Sequence, residues 1–329
     1  MTNRIALHGM ILLTLFTVAA CASCRRGPGN GDSNKRRPPS SPTSSPSSSP
    51  NNVPPGNDNT NIGKLDAVKI DNSLANADTA MIFKVDNEVL LKTKDAADFV
   101  RILSGLFRGG DVLRVGQQAI AWVNCPDGHV CPLNSGEYTN CCNVSCGHQI
   151  DLSPPSTKGD QPRVMMRKMD LPPGERQMFD SAEEKIRQLG ADDVTQQYLI
   201  ANLYSSWKVR EARDEVKKLS QKLQDPKAPN QLKELYLPMV RRTGDLYFKI
   251  DQRAEAERSY NKVIELAPQV KDEKEQAAAH SSLGQLYETT GQKEAAVKNL
   301  EKATVIYDRQ GETQKATQVR RAITKVQKE

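Results

Sequence analysis

The sequence predicts a multidomain chain of separate β and α parts: a small all-β sandwich or roll, then an all-α helical-repeat array, both preceded by a disordered linker. Three observations support this. From about Ala67 to Met169 the chain is rich in Val, Ile, Gly and Cys, whereas from about Ser181 onward Gly is scarce, Cys is absent and Ala/Leu/Glu/Lys patterns run long. Two segments of the second half repeat one set of residue intervals. Residues 25–60, upstream of both, consist largely of Pro, Ser, Asn and Gly. These shifts divide the chain into 1–20, 21–60, 61–170 and 171–329.

Residues 1–20 read as an export signal. Met1 to Met10 has only Arg4 and His8 as basic residues, and Ile11 to Ala20 is a run of apolar and small residues. A hydrocarbon core of ~30 Å needs roughly 20 helical residues, so this run is too short to span one. Small residues close it, as at a cleavage site. Val18-Ala19-Ala20-Cys21 resembles the lipobox of bacterial lipoproteins, which implies that Cys21 is acylated and becomes the first residue of the mature protein. Stable attachment takes two or more acyl chains at ~0.8 kcal/mol per buried methylene, and needs no transmembrane helix. The same resemblance implies a lipid-anchored, extracytoplasmic location. Ala22, not being Asp, favours the periplasmic face of the outer membrane where a cell has two membranes. An ordinary secretory signal cut near Ala22 or Ser23, or a second register ending at Cys24, stays open.

From Arg25 to Thr60 almost no apolar side chain is present, so no core offsets the entropy of ordering the segment. Its prolines favour extended polyproline II at roughly 3.1 Å per residue, which makes it a stalk. Arg25, Arg26, Lys35, Arg36 and Arg37 face only Asp32 and Asp58, so much of the formal net charge of +6 lies near the anchor. Anionic head groups attract such a cluster by ~1 kcal/mol per charge; simple solubility explains it equally well.

Strand patterns follow. Ala80-Met81-Ile82-Phe83-Lys84-Val85 and Glu88-Val89-Leu90-Leu91 flank Asp86-Asn87, which predicts a tight turn of the hairpin kind. Val112 to Val115 and Ala119 to Cys125 predict further strands, the second closed by the turn Pro126-Asp127-Gly128. Between them, Ala96 to Phe107 fits either a short helix or a long connection. The run Gly109-Gly110-Asp111-Val112-Leu113-Arg114-Val115, with Asp127-Gly128 and Leu133-Asn134-Ser135-Gly136, resembles the FecR-like β-domain of extracytoplasmic bacterial proteins. That resemblance implies a β-rich extracytoplasmic fold and no sensing role by itself.

Cys125, Cys131, Cys141, Cys142 and Cys146 cluster in this module with His129 and His148. Outside the cytoplasm clustered cysteines become disulfides, and a bridge closing a loop of ~15 residues stabilises by ~3 kcal/mol. A bridge from Cys125 to the Cys141–Cys146 group is expected. The alternative is a zinc or other metal site, although the spacing matches no ribbon of paired C-x-x-C motifs.

In the second half, Gly244, Tyr247, Ala256, Tyr260, Val263 and Pro268 fall at intervals of 3, 9, 4, 3 and 5, and Gly284, Tyr287, Ala296, Leu300, Ala303 and Asp308 repeat them. This resembles the tetratricopeptide pattern, with repeats at 237–270 and 277–310. The glycines let helix A of each repeat approach helix B, and Pro268 ends a helix. A weaker repeat covers about 194–226, and Ala316, Val319, Ile323 and Val326 form the stripe of a capping helix at 312–328. The two glycines lie 40 residues apart, so Lys271 to Gln276 read as extra turns at the start of the second helix A. Ser181-x-x-Glu184 reads as a capping box and Gly190 as a helix stop.

The repeat register predicts an open concave face that includes Tyr198, Asn202, Arg241, Asp245, Phe248, Ser281, Gln285 and Glu288. Arg241, Asp245, Phe248 and Gln285 are the expected partner-binding groove, with Phe248 as its aromatic anchor. No Ser-His-Asp set, paired carboxylates or phosphate loop is visible, so no catalytic residue, cofactor or metal is assigned. Nucleic acid is disfavoured by the compartment. The sequence therefore reads as a non-enzymatic, lipid-anchored adaptor that binds a protein of the cell envelope. The alternative is an envelope sensor or ligand- or metal-binding protein that uses the cysteine-bearing module.

Overall fold

A computed structural model describes residues 79–125, 129–139, 150–155 and 163–328. The expected export signal, Cys21, the expected tether, the expected turn at 126–128, Cys141, Cys142 and Cys146 lie outside the described residues. Two antiparallel sheets form the β-module. The first is five-stranded, in the order β4 (Gly105–Arg108), β1 (Thr79–Asp86), β6 (Ile120–Asn124), β7 (His129–Leu133) and β9 (Ile150–Asp151). The second is four-stranded, in the order β3 (Val100–Arg101), β2 (Val89–Lys92), β5 (Val112–Val115) and β8 (Gly136–Tyr138).

Side-chain alternation sorts the first sheet into two faces. Ala80, Ile82, Phe107, Ala121, Val123 and Leu133 join Val89, Leu113 and Val115 in the sandwich core. Met81, Phe83, Leu106, Val130 and Ile150 belong instead to the core shared with the helices. The register Ala80↔Phe107 and Met81↔Leu106 places residues of the same face opposite each other. The first sheet is thus a middle layer, covered on both sides. This explains why Ala80 to Phe83 is an unbroken apolar run, the pattern of a strand buried on both faces.

Several expectations change here. Asn87 does occupy a left-handed turn, at φ 69. However, β1 pairs with β4 and β6 while β2 pairs with β3 and β5, so the turn carries the chain between sheets and closes no hairpin. Both sides of β1 are already taken, and Val89 and Leu91 belong to the opposing layer. Ala96 to Phe107 holds no helix; β3 and β4 lie there. Asp111 is buried, and its carboxylate accepts from the backbone N–H of Lys94 at 2.9 Å and of Arg108 at 2.8 Å, which staples the turn into β5. Among the described residues Cys131, one of the five cysteines expected to form disulfides, is disulfide-bonded.

The helical part begins with α1 (Pro173–Gln188), which starts on a proline at its first position. Ser181 and Glu184 lie inside it, so the expected capping box is a mid-helix pair. Gly190, at φ 63, follows its end. Then come α2 (Asp193–Ser206), α3 (Ala212–Gln224), the short α4 (Ala228–Leu232), α5 (Tyr236–Lys249), α6 (Arg253–Leu266), α7 (Glu273–Thr289), α8 (Lys293–Arg309) and α9 (Thr313–Lys328). Asp192 caps α2 by accepting from Val194 and Thr195, and Asp272 caps α7 by accepting from Glu275. The pairs α2/α3, α5/α6 and α7/α8 are the helix hairpins of the array, and α9 covers the last of them through Ala316, Val319 and Val326. At 17 residues against 14, α7 exceeds α5.

The repeat glycines have a steric reason. A Cβ on Gly244 would stand 2.6 Å from the Tyr260 ring, and one on Gly284 would stand 2.7 Å from Cγ of Leu300. Only glycine lets these helices approach so closely.

Candidate functional site

The predicted groove is filled from within. Arg241 is fully buried, and its Nε donates to Glu275 at 2.9 Å while Nη1 donates to Asp245 at 2.9 Å. Asp245 also accepts from the Tyr260 hydroxyl at 2.8 Å and the Ser282 hydroxyl at 3.4 Å. Burial opposes the charge on Arg241, but Glu275 and Asp245 more than offset it and hold the guanidinium above its ordinary pKa. Burial, with Asp245 beside it, likewise pushes the Tyr260 phenol up. This network ties α5, α6 and α7 together, one repeat to the next. Phe248 and Gln285 are each 8% exposed, and Ser281 is fully buried. The groove residues are therefore placed together, as the register predicts, but they form an interface between helices. Glu288, at the edge, accepts from Lys325 of α9 at 2.8 Å.

The neighbouring arginine points to the β-module. Arg242 donates through Nη1 to Asn124 Oδ1 at 3.2 Å and through Nη2 to the carbonyl of Thr79 at 3.1 Å. Tyr198 of α2 reaches the same Asn124 at 3.5 Å. Lys84 donates to the carbonyl of Leu189 at 2.9 Å, at the end of α1. Around these polar ties lie Met81, Phe83, Leu106, Val130 and Ile150 of the sheet, packed into one apolar core with α1, α2 and α5. The array thus holds its own β-module against the face that the register assigns to a partner. Arg242 and Asn124 escaped the sequence reading; the signal was an Arg241-Arg242 tandem in a helix whose other residues are largely apolar.

One broad cleft opens where the module and the array meet. Its volume is about 1220 Å³. Leu266 of α6 and Val270, 64% exposed, supply the accessible apolar lining, over Leu106 of β4 and Tyr236 and Leu237 of α5, which are buried in the core beneath. Lys94, Arg108, Lys233, Lys262 and Lys271 project around it from five separate segments. Among the described residues none of these five has a carboxylate in salt-bridge contact; Lys262 lies 5.6 Å from the centre of the Tyr236 ring. The carboxylates are mostly engaged. Asp111 staples its turn and Asp272 caps α7. Glu312 pairs with Lys274 at 3.4 Å and Glu273 with Arg309 at 3.5 Å. Asp95 and Glu234 complete the rim. Burial, then the nearby Glu275, raises the Asp272 carboxyl above its usual range, against the opposing pull of the Glu275 N–H, Arg108 and Lys274.

Two of these lysines sit on unusual backbone. Lys271 is left-handed at φ 58 and ψ 30, and Lys233 is held at φ 48 and ψ −117. The latter is a conformation suited to glycine, and for another residue it stores ~1–3 kcal/mol of strain. A second, smaller cleft of about 490 Å³ lies over α3, α5 and α6, lined by Arg213, Lys217 and Arg258 and sharing Lys262 with the first. The described lining of the larger cleft includes no serine, cysteine or histidine. Among the described residues no group of three or more His, Cys, Asp or Glu side chains is arranged to hold a metal.

Comparison with known proteins bears on the array. A tetratricopeptide-repeat family model matches residues 243–270 and 277–306, which fall on α5 to α8. No curated protein matches the chain. Among solved structures, the crystal structure of BtubC (BKLC) from P. vanneervenii is 15% identical, covering 47% of this chain and 72% of that one, with a TM-score of 0.32.

Proposed function

We propose that the protein is a non-enzymatic, lipid-anchored extracytoplasmic adaptor whose protein partner docks in the cleft between the β-module and the repeats. Tetratricopeptide repeats indicate a scaffold for protein–protein interaction, and this chain carries them at 243–306. The observation that supports the cleft is the burial of the other candidate: Arg241, Phe248 and Gln285 are all within the interior, while the cleft presents the exposed Val270 beside Lys233 and Lys271, which among the described residues make no ion pair. Anchoring rests on the sequence alone, through Val18-Ala19-Ala20-Cys21. The extracytoplasmic β-module of FecR-like kind rests likewise on its motif residues.

The test has two arms. Cys21→Ser is expected to release the protein from membranes and abolish incorporation of a labelled acyl chain. A photo-crosslinking residue at Val270 is expected to capture a partner in the intact envelope, and one at Phe248 is not. Capture from position 248 alone would move the partner site back to the concave face.

A further inference from the structure

We infer that the partner segment seated in this cleft is an acidic, extended peptide with apolar side chains between its carboxylates; this rests on the docking reading above. Charge is the first argument. Lys94, Arg108, Lys233, Lys262 and Lys271 come from the β2–β3 connection, the end of β4, the segment before α5, α6 and the segment before α7, and all line one opening. Against them stand Asp95, Glu234, Asp111 and Asp272, the last two keeping their charge although they accept from backbone N–H groups, while Glu312 and Glu273 are paired with Lys274 and Arg309. The excess of cations grows along the second cleft, where Arg213, Lys217 and Arg258 meet Glu255. Arg108 is partly balanced across the cleft by Asp272. A groove with surplus cations between low-dielectric walls attracts anionic chains and steers them in.

Apolar chemistry narrows the class. Leu266 and the exposed Val270 give the opening an apolar lining that a polyphosphate or an acidic polysaccharide has no side chain to cover, whereas a peptide buries leucine-like groups there at ~25 cal/mol per Å². The path is also long enough for a chain. Lys262 lines both clefts, so the basic lining continues over α6 to Arg258, Lys217 and Arg213, with Glu255 as the carboxylate of that second lining. Finally, Lys233 holds its strained backbone although its side chain makes no ion pair among the described residues, which places a cation at the rim where no internal contact requires one.

The probe is a fluorescein-labelled Glu-Glu-Leu repeat peptide, read by anisotropy on the full chain, with Lys-Lys-Leu and Glu-Glu-Ser repeats and polyphosphate beside it. The acidic leucine peptide is expected to bind, to weaken as salt is raised, and to lose about tenfold in affinity in Lys233→Glu/Lys271→Glu. Both lysines are exposed, so circular dichroism and melting should be unchanged in that variant. Equal binding of the Lys-Lys-Leu peptide, unchanged affinity in the double variant, or polyphosphate and Glu-Glu-Ser binding as well as Glu-Glu-Leu would each overturn the inference. If position 270 captures a partner in the envelope but the acidic peptide fails to bind, the docking site stands and the acidic segment is wrong. If the peptide binds and position 270 captures nothing, the cleft's chemistry stands and the adaptor reading fails.

Discussion

The concave face and the cleft draw on the same helices, α5 and α7, and both hold charges of each sign. On the concave face Arg241 has two carboxylates within 2.9 Å and no exposure. In the cleft, Lys233 and Lys271 are exposed, and among the described residues neither meets a carboxylate. The first region behaves as an interior, where a charge persists only when matched. The second behaves as a solvent-exposed surface, where water solvates a cation that no internal carboxylate matches. Charge alone on a repeat helix therefore says little about binding; what separates the two regions is whether the chain itself supplies the counter-charge.

Removing the match is the strongest way to break this comparison. Arg241→Ala leaves Glu275 and Asp245 buried without their cation, and a loss of ~3–5 kcal/mol in urea unfolding is expected. Arg241→Met with Glu275→Leu removes both charges and should recover a large part of that loss. If the single variant is as stable as the wild type, the network is no structural tie and the concave face is reopened as a binding surface.

An opposite outcome is expected in the cleft. Lys233→Gly relieves the strained backbone at φ 48 and loses one cation. Glycine's extra freedom in the unfolded chain offsets some of the relief, leaving a net gain of at most ~1 kcal/mol. The melting temperature should therefore hold or rise while affinity for the acidic peptide falls. A drop in stability would mean that Lys233 supports the fold.

The smallest effect concerns pH. His280 in α7 is 5% exposed, with Nδ1 3.1 Å from Asn299 Oδ1, and burial lowers its pKa below 6.5 despite that contact. A histidine depressed in the folded state adds stability that is complete above its unfolded value and lost as pH falls through the folded one. His280→Gln should therefore flatten the decline in melting temperature between neutral and mildly acidic pH. An identical decline in the variant would assign it to other groups.

The repeats were legible because their code is local. Gly244 with Tyr260, and Gly284 with Leu300, specify a helix-to-helix distance within one hairpin, and those pairs recur at fixed intervals. The β-module was less legible. Asp86-Asn87 marks a turn wherever the next strand goes, so the residues do not say that β2 joins the other sheet. The start of α1 was missed because Ser181-x-x-Glu184 has the letters of a cap, while Pro172-Pro173 supplies the actual start.

By itself the sequence determined the helix pairs and the division between β and α parts; Ala80 to Phe83 was legible as a strand, and the structure showed it buried on both faces. Only the tertiary structure decided which second face the sheet would find. Asn124 meets Arg242 across 118 positions and Leu106 shares a core with Leu237, contacts that no local periodicity encodes. An amphipathic face specifies that it must be covered, not by what. Here the repeat array is covered by its own β-module, and the cleft lined by Lys94, Lys233 and Lys271 exists because those distant segments are brought together by that packing.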